Sequence, residues 1–302
     1  MPGCSVCQSV FVGRCGFAVV WNGLVCSESV EYMEKYRFLG FEWAVLTRGS
    51  GRPVVFVHGF PFDHSMYAVS CLPLSDEFRI VLPDLPGFGG SVFPEGSAPI
   101  KITMADYADG LAELLDCLHE EKAIVCGLSM GGYIAMQFMR RHADRLAGLV
   151  LCDTRSTPDT PEVAANRIRL ADSVFETGAA PLAGTMLPNL LSEETLGNLP
   201  KISGFVSDMI ARQKPAGIAA AARGMAERDD STPYLKDVSV PTLVLGGECD
   251  RISPPDAMKG LAGRISGAEY LLVPTVGHIP PLETPVFFSD AIRGFARRIY
   301  GT

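Results

Sequence analysis

From Tyr36 onward, short, continuously apolar runs of strand length alternate with longer stretches whose apolar residues recur at helical spacing. Tyr36 to Leu46 reads as one or two strands, Pro53 to Val57 as a short buried strand, and Phe78 to Leu82 as the next. Met104 to His119 carries Tyr107, Leu111, Leu114, Leu115 and Leu118 on one helical face, with Thr103 placed to cap its start. The series continues with a strand at Lys122 to Cys126, a helix from Met130 to His142 and a strand from Leu146 to Cys152. Strands at Pro241 to Gly246 and Glu269 to Val273 and a helix from Pro285 to Ile299 close it. Strands that are apolar at every position are covered on both faces. The order therefore predicts an α/β chain with a mostly parallel central sheet and helices on both faces.

One segment interrupts the alternation. Residues 155–235 hold helical pattern, clearest at Ala164 to Phe175 and Pro215 to Glu227, and no convincing strand. An all-helical insertion between two strands is expected as a cap on the carboxyl edge of the sheet, where open α/β sheets bind ligands. The predicted division is a core of 36–154 and 236–302, a helical cap of 155–235, and a poorly ordered N-terminal extension of 1–35 that the fold does not need. Met33 is an alternative start.

Composition narrows the function classes. Hydrophobic residues make up 47% and charged residues 20% of 302, the balance of a chain with a sizeable core rather than a disordered one. A net charge of −8 without a Lys/Arg run argues against nucleic acid or an anionic membrane as partner. No apolar stretch approaches the length of a transmembrane helix, and the N-terminal stretch lacks a basic region and a cleavage site. Nine cysteines in a chain of this length do not make a disulfide scaffold, so a reducing, cytoplasmic setting is expected. Cys4 and Cys7 have a zinc-like spacing, but no second pair completes four ligands, and no metal is expected.

The chemistry concentrates at loops that follow strands. Gly127-Leu-Ser129-Met-Gly131 follows a strand and precedes a helix, the context of a nucleophile elbow, which makes Ser129 the candidate nucleophile. A serine hydroxyl needs a base. Of the five histidines, His278 follows the last strand and opens on the same edge, whereas His119 and His142 lie at surface helix ends and are expected to be solvated. The base needs a carboxylate to fix its tautomer. Asp250 ends the loop Leu245-Gly-Gly-Glu-Cys-Asp250 and is favoured, with Asp153 and Glu248 as competitors. Two backbone N–H groups should form an oxyanion hole: Met130, after the nucleophile, and Phe60, in His58-Gly59-Phe60-Pro61. His58 is expected to bond to loop backbone. Phe62, Met66 and Phe175 are candidate substrate contacts.

These residues resemble the α/β-hydrolase family, serine-nucleophile branch, over about Tyr36 to the C-terminus. The resemblance rests on His58-Gly-Phe60, the D-x-x-G-x-G-x-S turn from Asp84 to Ser91, Gly127-Leu-Ser-Met-Gly-Gly132, Asp250 and Gly277-His278. The elbow and the helical insertion are most similar to carboxylesterases and 3-oxoadipate enol-lactone hydrolases. The resemblance implies hydrolysis of a small-molecule ester or lactone through an acyl-enzyme, without cofactor, and a structural role for Asp84. Two alternatives are a ligand-binding or signalling protein with weak or single-turnover hydrolysis, and a cofactor-free perhydrolase or haloperoxidase-like activity.

Overall fold

A computed structural model of the chain describes Arg14–Cys15, Val20–Trp21, Leu24–Val25 and residues 31–93 and 96–301. The Cys4–Cys7 spacing and most of the expected extension lie outside the described residues. Within that extension, Arg14–Cys15 pairs antiparallel with Glu31–Tyr32, and Val20–Trp21 with Leu24–Val25.

The main sheet has eight strands: β1 (Glu34–Phe38), β2 (Phe41–Arg48), β3 (Pro53–Val57), β4 (Arg79–Pro83), β5 (Ala123–Leu128), β6 (Leu146–Cys152), β7 (Thr242–Gly247) and β8 (Glu269–Val273). Their spatial order is β8-β7-β6-β5-β3-β4-β2-β1. The β1–β2 and β2–β4 pairs are antiparallel and every other pair is parallel, as the apolar runs predicted. β1 begins two residues before Tyr36, and the buried Met33 precedes it.

Alternate residues of the same strands feed two cores. On one face Val45, Val55, Val57, Val125, Leu149, Leu151 and Val244 pack with helices α2 (Met104–Cys117), α3 (Met130–Arg141) and α9 (Pro255–Ala262). On the other, Leu46, Phe56, Leu82, Ile124, Val150 and Leu245 meet α1 (Ser65–Cys71) and α11 (Pro285–Tyr300). α2 starts in a capping box, with Thr103 and Asp106 each bonding the other's backbone amide. Such a cap is worth about 1 kcal/mol. The sequence pattern did not foretell α1. Its hydroxyl and β-branched residues are weak helix formers, and burial of Met66, Tyr67 and Cys71 secures it instead.

Between β6 and β7 run five α-helices, α4 (Pro161–Thr177), α5 (Ala180–Leu190), α6 (Glu193–Asn198), α7 (Pro200–Ala211) and α8 (Pro215–Ala226), and one 3-10 helix, Thr232–Asp237, with no strand among the described residues there. The alanines 219–222 are buried, and their small side chains let α8 lie close to α4 and to the loops beneath. Ile102 N–H donates to Ala220 O at 3.2 Å. A short helix α10 (Pro280–Glu283) precedes α11.

Candidate active site

Ser129 occupies the turn between β5 and α3 with φ 56° and ψ −113°. A residue bearing a Cβ holds this left-handed backbone only under constraint. Close packing supplies that constraint: a Cβ on Gly127 would collide with the carbonyl of Gly131, and one on Gly131 with the carbonyl of Val57. Ser129 N–H donates to Cys152 O at 3.0 Å, and Thr154 Oγ1 donates to Ser129 O at 2.8 Å, so the end of β6 braces the turn. The N-terminus of α3, directed at this turn, makes the region electropositive.

His278, beyond β8, and Asp250, beyond β7, come together at the same edge. Nδ1 of His278 lies 2.8 Å from Oδ2 of Asp250, and the two residues are 1% and 3% exposed. Their loops are stitched by Cys249 N–H to Val276 O at 2.8 Å, while His278 N–H donates to Leu190 O of α5 at 2.8 Å. Asp250 Oδ1 accepts Ile252 N–H at 2.7 Å. Burial pulls the Asp250 carboxyl up, but His278 and the amides of Ser253 and Ile252 hold it below the usual carboxylate range.

The two competing carboxylates are turned to other tasks. Glu248 is exposed and accepts Thr275 N–H at 2.9 Å. Asp153 is fully buried just past β6, and its Oδ1 accepts Gly247 N–H at 2.7 Å. Burial and the neighbouring Asp250 raise its carboxyl well above the usual range.

Phe60 and Met130 sit on adjacent segments, because the start of α3 backs directly onto the carbonyls of Val57 and His58. Both are buried, and the Phe60–Pro61 peptide is cis. His58 bonds to loop backbone as expected: Nε2 accepts Leu85 N–H at 3.0 Å, so Nδ1 carries the proton and donates to Gly59 O at 2.9 Å. Burial lowers its pKa and keeps the ring neutral. Asp84 holds its turn by accepting His64 N–H and Gly90 N–H, each at 2.7 Å.

Phe62 and Met66 are wholly buried beneath this loop, and Gly59 N–H approaches Met66 Sδ at 3.4 Å. Phe175, expected with them as a substrate contact, is 58% exposed, because α4 turns Ala171 and Val174 inward. His142 is half-buried rather than solvated, with Nε2 2.8 Å from Asp109 Oδ1.

Three contributors escaped the sequence reading. Thr154 braces Ser129, Glu283 braces the His278 loop, and Asp63 binds Arg212 and Gln213 of the α7 end at 2.8 Å. Glu283, five residues after His278, carried a local signal; the Asp63–Arg212 pair spans the chain and carried none. Two clusters, Asp63–His64–Asp84 and Asp153–Asp250–His278, have donor atoms within 4.8 Å of one another. Most of those atoms are engaged by the protein partners given above.

A mostly parallel eight-stranded sheet covered by helices, with a serine at positive φ in the turn after β5 and a buried His–Asp pair beyond β7 and β8, has the architecture of the α/β-hydrolase fold. The model of the alpha/beta hydrolase family matches residues 54–291, and the chain belongs to that family. It is similar to a thermophilic esterase from Thermogutta terrifontis, solved with malate bound, at 41% identity and TM-score 0.83, covering 97% of this chain and 99% of that one. The enol-lactonase from Burkholderia xenovorans LB400 matches at 27% identity and TM-score 0.79, over 87% of this chain and 99% of that one. The AB hydrolase superfamily protein YisY of Bacillus subtilis (strain 168) is 32% identical over 76% of this chain and 86% of its own.

Proposed function

We propose that the protein hydrolyses a small to medium, largely apolar carboxylic ester or lactone through an acyl-enzyme on Ser129. The observation that carries this reading is the buried pair of His278 Nδ1 and Asp250 Oδ2, 2.8 Å apart, at the sheet edge where Ser129 is held at positive φ. The likeness to an esterase and an enol-lactonase supports the substrate class.

In this mechanism Ser129 Oγ attacks the carbonyl carbon while Nε2 of His278 takes its proton. Asp250 accepts Nδ1–H and stabilises the imidazolium. The N–H groups of Met130 and Phe60 receive the oxyanion, a contribution of about 3 kcal/mol per donor in such sites. Collapse of the tetrahedral intermediate expels the alcohol, which takes the proton from Nε2. A water molecule, deprotonated by the same nitrogen, then attacks the acyl-enzyme. A second collapse releases the acid and restores Ser129. The helices between β6 and β7 serve as a cap over this edge and set substrate size.

Hydrolysis of p-nitrophenyl acetate by wild type and Ser129→Ala tests the reading. Multiple turnovers by the wild type, abolished in the variant, are expected. A single stoichiometric burst would instead favour a binding or signalling role, and equal rates in both proteins would overturn the assignment of Ser129.

A further inference from the structure

Asp153 is a second buried carboxyl beside the His–Asp pair, and the mechanism above leaves it without a task. It is wholly buried, and it holds φ +41°, a backbone that a residue with a side chain adopts at a cost. Its N–H donates to Leu245 O at 2.9 Å, and the residues on either side of it are those that brace Ser129.

Its two oxygens are treated unequally. Oδ1 accepts Gly247 N–H at 2.7 Å, whereas Oδ2 is buried with no donor to satisfy it. A carboxylate oxygen of Asp153, one of Asp250 and a ring nitrogen of His278 lie within 4.8 Å of one another. Two ionised carboxylates that close in a dry site oppose each other, and one of them keeps a proton. Asp250 has His278 and the Ile252 amide to stabilise its charge; Asp153 has one amide. A proton is better placed on Asp153 than on Asp250, because it would turn the orphaned acceptor Oδ2 into a donor. A cation is a poorer fit to the cluster, because a single oxygen of it lacks a protein partner.

We propose that Asp153 is a positioning residue of the active site, a neutral carboxylic acid whose Oδ2–H donates to the carboxylate of Asp250 and fixes it against His278. The proposal rests on the serine-hydrolase reading for its catalytic consequence, though not for the protonation itself. Burial and the Asp250 charge both push the Asp153 carboxyl up, in agreement with the geometry. The other titratable groups facing it are Cys152 on its own strand, Tyr67 on α1 and Tyr270 on β8, all raised by burial and so neutral.

Asparagine reproduces the neutral acid, with one oxygen for Gly247 N–H and an amide N–H for Asp250. Asp153→Asn should therefore rescue most of the kcat lost in Asp153→Ala, which is expected to fall about 10-fold or more at little change in KM. The acidic limb of kcat/KM should stay in place in Asp153→Asn. A limb moved about one pH unit lower would mean that a negative charge had been removed, and would overturn the proposal.

Two readouts do not depend on activity. In wild type, 13C-carboxyl NMR of labelled aspartate should show one protonated Asp at pH 7; its absence overturns the proposal. The linked stability has a definite sign: a carboxyl raised in the folded state favours folding below its unfolded pKa and loses that contribution as pH rises. The Tm of Asp153→Asn should thus exceed that of wild type at pH 8, the gap closing by pH 4. A pH-independent gap is the opposite outcome. If Ser129→Ala retained activity while these two held, the hydrolase reading would fail and the protonated Asp153 would stand.

Discussion

Glu283 Oε1 accepts the amide of Gly277, the residue before His278, at 2.9 Å, while its Oε2 accepts Ser192 N–H at 2.9 Å and Thr195 Oγ1 at 2.8 Å. One buried carboxylate thus joins the loop of the proposed base to the start of α6. Removing it leaves buried donors unpaired on both sides. Glu283→Ala should destabilise the protein by about 3 kcal/mol and lower kcat more than it raises KM. Chemical denaturation and steady-state kinetics would check this, and an effect on KM alone would disconnect Glu283 from His278.

Asp250→Asn keeps an oxygen for Ile252 N–H but offers the imidazole an ambiguous partner. The expected result is a folded protein whose kcat drops by about 10³–10⁴. If Asp250→Asn keeps normal turnover and Asp153→Ala abolishes it, the two carboxyls have been assigned the wrong way round.

Asp63 is gripped by Arg212 at 2.8 and 2.9 Å and by Gln213, whose Oε1 accepts Gly89 N–H at 3.0 Å. Burial pulls the Asp63 carboxyl up, yet the Arg212 guanidinium holds it well below the usual range. The pair's stabilisation is therefore complete above the unfolded Asp value, near 3.9, and is lost as pH falls below it. Arg212→Ala should cost about 2–3 kcal/mol at neutral pH, less than a wholly buried pair because the guanidinium is 31% exposed. Thermal melts from pH 2 to 7 should show the cost shrinking on the acid side.

Glycines give a contrast of sign. Gly131→Ala sets a Cβ against the Val57 carbonyl, a backbone atom that cannot swing away, so loss of both stability and turnover is expected. Gly204, on α7, has nothing within 4 Å of a built Cβ, and Gly204→Ala should stabilise by about 0.5–1 kcal/mol. Differential scanning fluorimetry on the two variants reads both directions at once.

Local chemistry was legible wherever a residue's task is dictated by its own neighbours in the chain. The apolar runs announced the parallel strands, since a strand covered on both faces must be apolar throughout, and Pro53–Val57, buried at every position, was marked to the residue. Thr103 as the α2 cap and the strand–turn–helix context of Ser129 were equally local. Which face of α4 is buried was not legible, because helical spacing shows that one face is buried without showing which; α4 buries Ala171 and Val174 and leaves Phe175 exposed.

What the sequence determined by itself, then, is the class of fold and the residues that stand at its carboxyl edge, because strand periodicity and turn chemistry act over a few positions. Which carboxyl meets His278 was decided only by the tertiary structure. Asp153, Glu248 and Asp250 all follow strands, and only the packing of β6, β7 and β8 turns Asp250 to the imidazole, Glu248 to Thr275 and Asp153 to Gly247. Long-range partnerships such as Asp63 with Arg212 arise the same way, from geometry that brings together side chains which no local pattern relates.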